Sequence, residues 1–387
     1  IGALFLLSSF VFSAISSDFS SLILVESILF ILFFFRPSRV LSVAESGLQY
    51  PLVSIIVPMR NEEKNVKGCI TSLTSLQYPN LEIIIGNDAS VDNTSLLLGE
   101  AVSENKGNHP IRLIDIPPIQ EGWTGKTWVV SHLVREAEGE LILVTDADVR
   151  HAPESLTHSV SHFLETHSDL MARFPYPIIS GVGEWPLLFL FFALRFASWF
   201  SLDFLMRRQT IAKEEYLLFT RACYRELGGY EAFKNDYPMI LALFRAAFKK
   251  GKHVTILDDD TREITATAYD GFKGTLNGIS ERVNFRHVGV FSFLGIFIAI
   301  SFAIDGLFKM ASGFLAGDGL ALLTGVASYL IFAGLFGVYL AMSRQPIFIA
   351  VFGPLLGFSF LMASLFAAVR AIFGVSLHWK GRTTKVQ

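Results

Sequence analysis

The chain predicts an α/β fold: a mostly parallel sheet covered by helices on both faces, with transmembrane helices at both ends. Three observations carry that expectation. Short apolar runs rich in β-branched residues alternate with helical stretches between Val53 and Thr145. Polar residues gather just past the ends of those runs. Hydrophobic residues make up 51% of the 387 residues and mean hydropathy is +0.47, with long apolar segments on either side of the α/β region.

The elements follow in order. Before Arg36 and Arg39 the only charges are Asp18 and Glu26, so a spanning helix from about Ser20 to Phe35 is expected within an anchor over residues 1–40. Val53–Pro58 reads as a buried strand closed by a proline that cannot continue a ladder. Arg60-Asn61-Glu62-Glu63 opens a helical stretch to about Leu76, and Tyr78-Pro79-Asn80 is a turn. Leu81–Gly86 is a second strand, followed by the polar loop Asn87–Thr94 and another helix. Ile111–Ile116 is a third strand. Gly122-Trp123-Thr124-Gly125-Lys126 starts a helix through about Glu138, and a fourth strand from Leu141 ends in Thr145-Asp146-Ala147-Asp148.

Asp146 and Asp148 are spaced i, i+2, which points them the same way from a strand end. Two carboxylates held together repel, and burying them unpaired is costly. A hard divalent cation shared with substrate phosphates relieves that repulsion. In open α/β sheets ligands bind beyond the carboxyl ends of the strands. Asp88, Lys126, Asp146 and Asp148 all fall there.

Strand-Pro-x-Arg-Asn-Glu-Glu, Asn-Asp-x-Ser-x-Asp-Asn-Thr, Gly-Trp-Thr-Gly-Lys and Thr-Asp-Ala-Asp, in this order, resemble a family 2 glycosyltransferase with the GT-A fold. The Gly-Trp-Thr-Gly-Lys element and Trp379-Lys380-Gly381-Arg382 resemble its membrane-bound subgroup, which includes enzymes of hopanoid and carotenoid-acid synthesis. The resemblance covers about Val53 to Arg286. It implies that Asp88 accepts a hydrogen bond from the uracil of a nucleotide sugar, with Pro58, Arg60 and Glu62 lining the same pocket. It places Asp146 near the ribose and metal, and Asp148 on Mn²⁺ or Mg²⁺ bound to the diphosphate. Lys126 is expected to face the phosphates. An inverting transfer also needs a carboxylate to take the acceptor's proton. The family puts it in a Glu-Asp pair after a Gly-Gly-aromatic loop. Here Gly228-Gly229-Tyr230 leads to Asn235-Asp236, so Asp236 is the expected base and Asn235 a departure. The Gln-x-x-Arg-Trp signature of processive polysaccharide synthases is absent from the stretch 271–285, where Arg282 is left as a group able to approach the diphosphate. Single transfer therefore fits better than polymer synthesis.

These readings give an N-terminal anchor at 1–40, a cytoplasmic catalytic domain at 50–286, a transmembrane region at 287–374 and a basic tail at 375–387. Within the catalytic domain, about 185–205 is expected to be an interfacial helix, because a spanning helix there would split one active site across the bilayer. Apolar segments at about Val288–Ile304, Leu320–Met342 and Ile347–Phe373 follow, the last one irregular by its Pro346, Pro354 and Arg370. Arg36 and Arg39 orient the catalytic domain to the cytoplasmic side of the cell (inner) membrane. The expected partners are a nucleotide-sugar donor, the lipid bilayer and a lipid or isoprenoid acceptor.

Other features have plainer readings. Cys69 and Cys223 are too few for a disulfide framework and suit core positions. His158 and His162 lack the glutamate of a zinc-protease helix. Asp258-Asp259-Asp260 reads as a solvated turn. With net charge −3 and no basic tract, nucleic acid is not implied. The alternatives are a polysaccharide-extending enzyme and a catalytically inactive membrane scaffold of the same fold.

Overall fold

The computed structural model describes residues 50–105, 109–200, 215–234, 239–258, 262–267, 271–275, 304–372, 377–379 and 382–384. They fall into two compact units: an α/β unit within 38–178 and 211–267, and a helical unit within 179–210 and 268–387. The expected N-terminal anchor, and most of the apolar segment from Val288, lie outside the described residues.

In the α/β unit, the strands are β1 (Val53–Met59), β2 (Leu81–Asn87), β3 (Ile111–Asp115), β4 (Leu141–Thr145), β5 (Val149–His151), β6 (Leu170–Phe174), β7 (Tyr176–Ile178), β8 (Tyr216–Thr220), β9 (Val254–Asp258) and β10 (Ile264–Thr267). Its helices are α1 (Val66–Thr74), α2 (Thr94–Glu104), α3 (Gly125–Glu136) and α4 (Ser155–Glu165). The helical unit contributes α5 (Trp185–Phe200). Two more helices then return to the α/β unit: α6 (Arg221–Leu227) and α7 (Met239–Lys249). Seven strands form one sheet in the order β3-β2-β1-β4-β8-β6-β9. It is mostly parallel, as expected; β8 runs antiparallel to both β4 and β6.

The apolar runs explain why these strands lie in the interior. β1, β2 and β4 are buried almost throughout, as parallel strands covered on both faces must be. Alternate residues feed two different cores. Val53, Ile55, Val57, Ile83, Ile85, Leu141 and Leu143 pack on the face carrying α1 and α4. Ile56, Ile84, Ile142 and Val144 pack on the face carrying α3, α6 and α7. Helix α1 shows the matching 3.6-residue period, burying Val66, Cys69, Ile70 and Leu73. Both cysteines are free and buried, as the sequence suggested, and burial pushes the Cys69 thiol up to about 12.

One interior feature is charged. Arg173 in β6 is 1% exposed. Its guanidinium donates to Ser159 Oγ at 2.7 Å and to the Ser155 carbonyl at 3.3 Å, and pairs with Glu263 at 3.2 Å. Glu263 also meets His158 Nδ1 at 2.7 Å. Tyr216 OH donates to Ser159 Oγ at 2.7 Å, with the guanidinium 5.8 Å from its ring centroid. His158 is thus a member of a buried ionic network.

In the helical unit, α8 (Gly319–Met342) is 24 residues long, apolar, and the described helix long and apolar enough to cross a membrane. Asp318 caps it by accepting from the Leu320 and Ala321 amides. After it come a 3₁₀ turn, Ile347–Phe352, and α9 (Gly353–Ile372), so the segment after Pro346 is broken near its start. Leu187, Phe189, Phe192 and Ala193 of α5 share a core with Phe332, Phe336 and Leu340 of α8 and Phe360 of α9. Helix 304–316 lies against α8 at backbone distance: a Cβ on Gly325 would come within 2.5 Å of the Met310 amide nitrogen. Two short strands, β11 (Leu377–Trp379) and β12 (Arg382–Thr384), pair antiparallel in the tail.

Candidate active site

The carboxyl ends of β2, β1 and β4 stand side by side in the sheet, and the expected site residues emerge from them. Pro58 lies in β1, opposite Gly86 of β2. Arg60 and Glu62 follow β1. Asp88 follows β2. Lys126 is in the first turn of α3, and Asp146 and Asp148 follow β4. Asp236 and Arg282 lie outside the described residues.

The loops after β1 and β2 are laced together. The Arg60 guanidinium donates to the carbonyls of Asp88 and Ala89 and lies 4.0 Å from the Asp88 carboxylate. The Asn61 amide donates to Ser90 Oγ at 3.1 Å, and Asn61 Oδ1 accepts from the Val91 amide at 2.9 Å. The Glu62 amide donates to Thr94 Oγ1 at 2.7 Å. Glu63 accepts from both nitrogens of Asn93. Asn61 and Ala89 hold left-handed backbone, with φ of 51° and 48°, a conformation that costs a residue bearing a Cβ and persists where surroundings impose it. Asp88 itself is 4% exposed. Arg60 is therefore first a clamp on this loop.

The Asp146–Asp148 loop is fixed just as closely. The Val149 amide donates to the Asp146 carbonyl, and Arg150 donates to the Ala147 carbonyl at 2.8 Å and to Asn65 Oδ1 at 3.1 Å. The Thr267 amide donates to the Asp148 carbonyl at 3.3 Å. Lys126 Nζ pairs with Asp146 at 2.6 Å. Burial, then the neighbouring charges of Asp146 and Glu215, push the Asp148 carboxyl up to about 7, with Lys126 opposing.

That shift has a testable sign. The folded protein holds a proton on Asp148 that the unfolded chain releases near pH 4. This group therefore costs stability progressively as pH rises from about 4 to about 7, and by a constant amount above that. In metal-free protein, carbon-detected NMR of the Asp148 carboxyl is expected to show titration near neutral pH, and Asp146→Asn to lower the midpoint. An unmoved midpoint would show that the Asp146 charge does not contribute.

Glu215, immediately before β8, is a site residue the sequence reading missed. Its signal was the apolar run Tyr216–Phe219, which marks a strand and makes Glu215 the residue at that strand's end. Beneath the site, Thr145 Oγ1 donates to the Glu215 carbonyl at 2.9 Å and lies 3.2 Å from His151 Nε2. The hydroxyl has one proton, so Nε2 must be the donor to it. His151 is neutral: burial, then Arg173 and Arg150, push it down to about 3.

Among the described residues, no three His, Cys, Asp or Glu side chains form a ready-made cation cage. The carboxylates of Asp146 and Asp148 supply hard oxygen donors for part of a coordination shell, which suits a cation shared with a phosphorylated ligand.

The mostly parallel seven-stranded sheet, with acidic groups past its carboxyl edge, is an α/β fold of GT-A-like type by the comparisons that follow. Residues 54–223 match the family described as "Glycosyl transferase family 2". A solved mannosyltransferase from Pyrobaculum calidifontis, in complex with GDP-Man and Mn²⁺, superposes with a TM-score of 0.51, covering 91% of this chain and 94% of that one. At 17% identity that likeness shows the fold. Poly-beta-1,6-N-acetyl-D-glucosamine synthase of Staphylococcus epidermidis is 33% identical over 29% of this chain and 25% of its own length. Beta-monoglucosyldiacylglycerol synthase of Nostoc is 32% identical over 29% of this chain and 24% of its own length. The chain thus spans about a quarter of these relatives.

Proposed function

We propose that the chain is a membrane-bound glycosyltransferase. It moves one sugar, with inversion, from a nucleotide sugar, taken as a UDP-sugar in the first assays, to a lipid or isoprenoid-type acceptor. The observation that carries this reading is the convergence of Asp88, Lys126, Asp146 and Asp148 at one sheet edge within a family 2 domain.

In this reading the loop after β2 presents Asp88 to the nucleobase, with Pro58, Arg60 and Glu62 forming and bracing the same pocket. Asp146 and Asp148 would hold a divalent cation, Mn²⁺ or Mg²⁺. When bound, that cation would offset charge developing on the diphosphate leaving group. Lys126, already beside Asp146, is placed to share in binding the phosphates, and Arg282 is assigned to the same end of the donor. Asp236 takes the proton from the acceptor hydroxyl as it attacks the anomeric carbon. The bond to the diphosphate breaks as the new glycosidic bond forms.

The apolar length of α8 and the exposed Leu320, Leu323 and Leu330 on it support a membrane setting. So does the lipid product named for the Nostoc relative. We assign the protein to the cell (inner) membrane as a multi-pass protein with its α/β unit cytoplasmic, and α5 to the interface. A polysaccharide-extending activity is the second reading. It is favoured by the likeness to the Staphylococcus synthase and opposed by the missing Gln-x-x-Arg-Trp.

The test is nucleotide release from a panel of UDP- and GDP-sugars by detergent-purified protein, with Mn²⁺, with Mg²⁺ and with EDTA, supplied with lipid extract. Release that needs metal and yields a glycolipid supports the reading; a lengthening glycan supports the second. Asp236→Asn is expected to lower transfer by about a hundredfold or more while leaving nucleotide affinity within a few fold. Full activity in that variant would remove Asp236 as the base.

A further inference from the structure

We infer that Thr145 and His151 are positioning residues for the acidic loop: a hydrogen-bond chain from His151 through Thr145 to the Glu215 carbonyl sets where Asp146 and Asp148 stand, and with it the affinity for a divalent cation shared with a nucleotide diphosphate. This rests on the glycosyltransferase reading above and names two residues behind the site for it.

The placement comes from the two sheets that meet at the site. β4 belongs to the seven-stranded sheet and β5 to the three-stranded one. Asp146, Ala147 and Asp148 are the whole of the crossing between them. The main-chain bonds of that crossing are long: the Val149 amide reaches the Asp146 carbonyl at 3.2 Å, and the Thr267 amide reaches the Asp148 carbonyl at 3.3 Å. Thr145 and His151 flank it. The Thr145 hydroxyl donates to the Glu215 carbonyl at 2.9 Å and, its one proton committed, accepts from His151 Nε2 at 3.2 Å. One chain thus ties β5 to β4 and to the entry of β8, across the turn that carries both carboxylates. Thr145 is 0% exposed and His151 5%, so water does not replace either bond.

The residue types support a positioning role. Side chains alternate along β4, so Thr145 points to the same face as Leu141 and Leu143, into the apolar core that also holds Tyr216 opposite it. Packing alone would put valine there, with the same shape and no hydroxyl to satisfy. His151 is costlier still. Its Nδ1 is buried without a hydrogen-bond partner among the described residues, so the ring carries an unmet acceptor that leucine would not. A core that keeps both polar groups at this cost gains what they supply together, a fixed link across the acidic turn. Groups behind a metal's ligands govern its affinity by orienting those ligands.

The experiment uses the full chain in detergent and compares wild type with Thr145→Val, Thr145→Ser and His151→Leu. Amide hydrogen exchange of the metal-free protein reads the loop directly. In Thr145→Val the Val149 and Thr267 amides are expected to gain about tenfold in exchange rate relative to the β2 amides. Paramagnetic resonance of Mn²⁺ in the presence of UDP reads the cation. Its affinity is expected to fall about ten- to a hundredfold, with UDP affinity in EDTA staying within about twofold. Thr145→Ser, which returns the hydroxyl, is expected to recover most of both losses. Thr145→Val combined with His151→Leu should lose no more than the worse single variant, since both break one chain. His151→Leu carries the same two readouts if Thr145→Val does not fold. Exchange that rises equally in β2, or unchanged Mn²⁺ affinity in a folded variant, would overturn the inference and leave the glycosyltransferase reading standing. Wild-type protein that takes up no Mn²⁺ with UDP or GDP would overturn the cation reading first, and this one with it.

Discussion

Asp148→Asn is expected to lower metal-dependent transfer by about a thousandfold or more, and at the same time to raise the thermal stability of the metal-free protein at pH 8. The two effects have one cause. Burial and the charges of Asp146 and Glu215 already make the Asp148 carboxylate unfavourable. Asparagine keeps the shape and removes the charge, so the folded state is relieved while the proposed ligand for a cation is lost. The sign is checkable. The stabilisation should be present at pH 8, shrink as pH falls through 7, and vanish near pH 4, where the native carboxyl is protonated in both folded and unfolded chains. Melting curves at the three pH values, with EDTA, read this directly. A variant less stable than wild type at pH 8 would mean that Asp148 serves chiefly as a structural hydrogen-bond acceptor.

Arg173→Ala should be the most damaging substitution away from the site. It removes the guanidinium from Glu263, which keeps His158, leaves Ser159 and the Ser155 carbonyl without their guanidinium donor, and opens a cavity beside the Tyr216 ring. Removing one partner of a buried ion pair costs about 3–5 kcal/mol. Chemical denaturation of the purified chain, followed by tryptophan fluorescence, is expected to show a loss of that size. Adding Glu263→Gln to the Arg173 variant should recover part of it, because the carboxylate that lost its guanidinium is then neutral. If Arg173→Ala unfolds with the wild-type midpoint, the network contributes no net stability.

Much of this architecture is legible in the sequence, for reasons that also explain where legibility stops. β1, β2 and β4 announce themselves because strands buried on both faces are continuous apolar runs, and α1 because its apolar residues fall at i, i+3, i+4 and i+7. β6 does not, since Arg173 interrupts Leu170–Phe174 and only tertiary partners make a buried arginine tolerable. β5, β7 and β10 are three or four residues long and pair across large separations, so they carry no periodicity to read. Among site residues, Asp88, Asp146 and Asp148 are legible because they end recognisable strands. Glu215 is not, because its place depends on an antiparallel strand inserted into a parallel series. The pairing of Lys126 with Asp146 is likewise a matter of three dimensions: twenty residues separate them, and only the packing of α3 on the sheet brings them together.

The lacing of the loops after β1 and β2 bears on how binding proceeds. Its hydrogen bonds join residues about thirty positions apart, so neither loop can take up its shape until the two strands have paired. The loops are then finished when the sheet is finished, and the nucleotide of the proposed function would meet backbone already immobilised. Ordering entropy that a floppy loop would charge against each binding event has been spent during folding. Amide hydrogen exchange should accordingly protect Asn61, Glu62 and Val91 alongside the central strands, whether or not nucleotide is present.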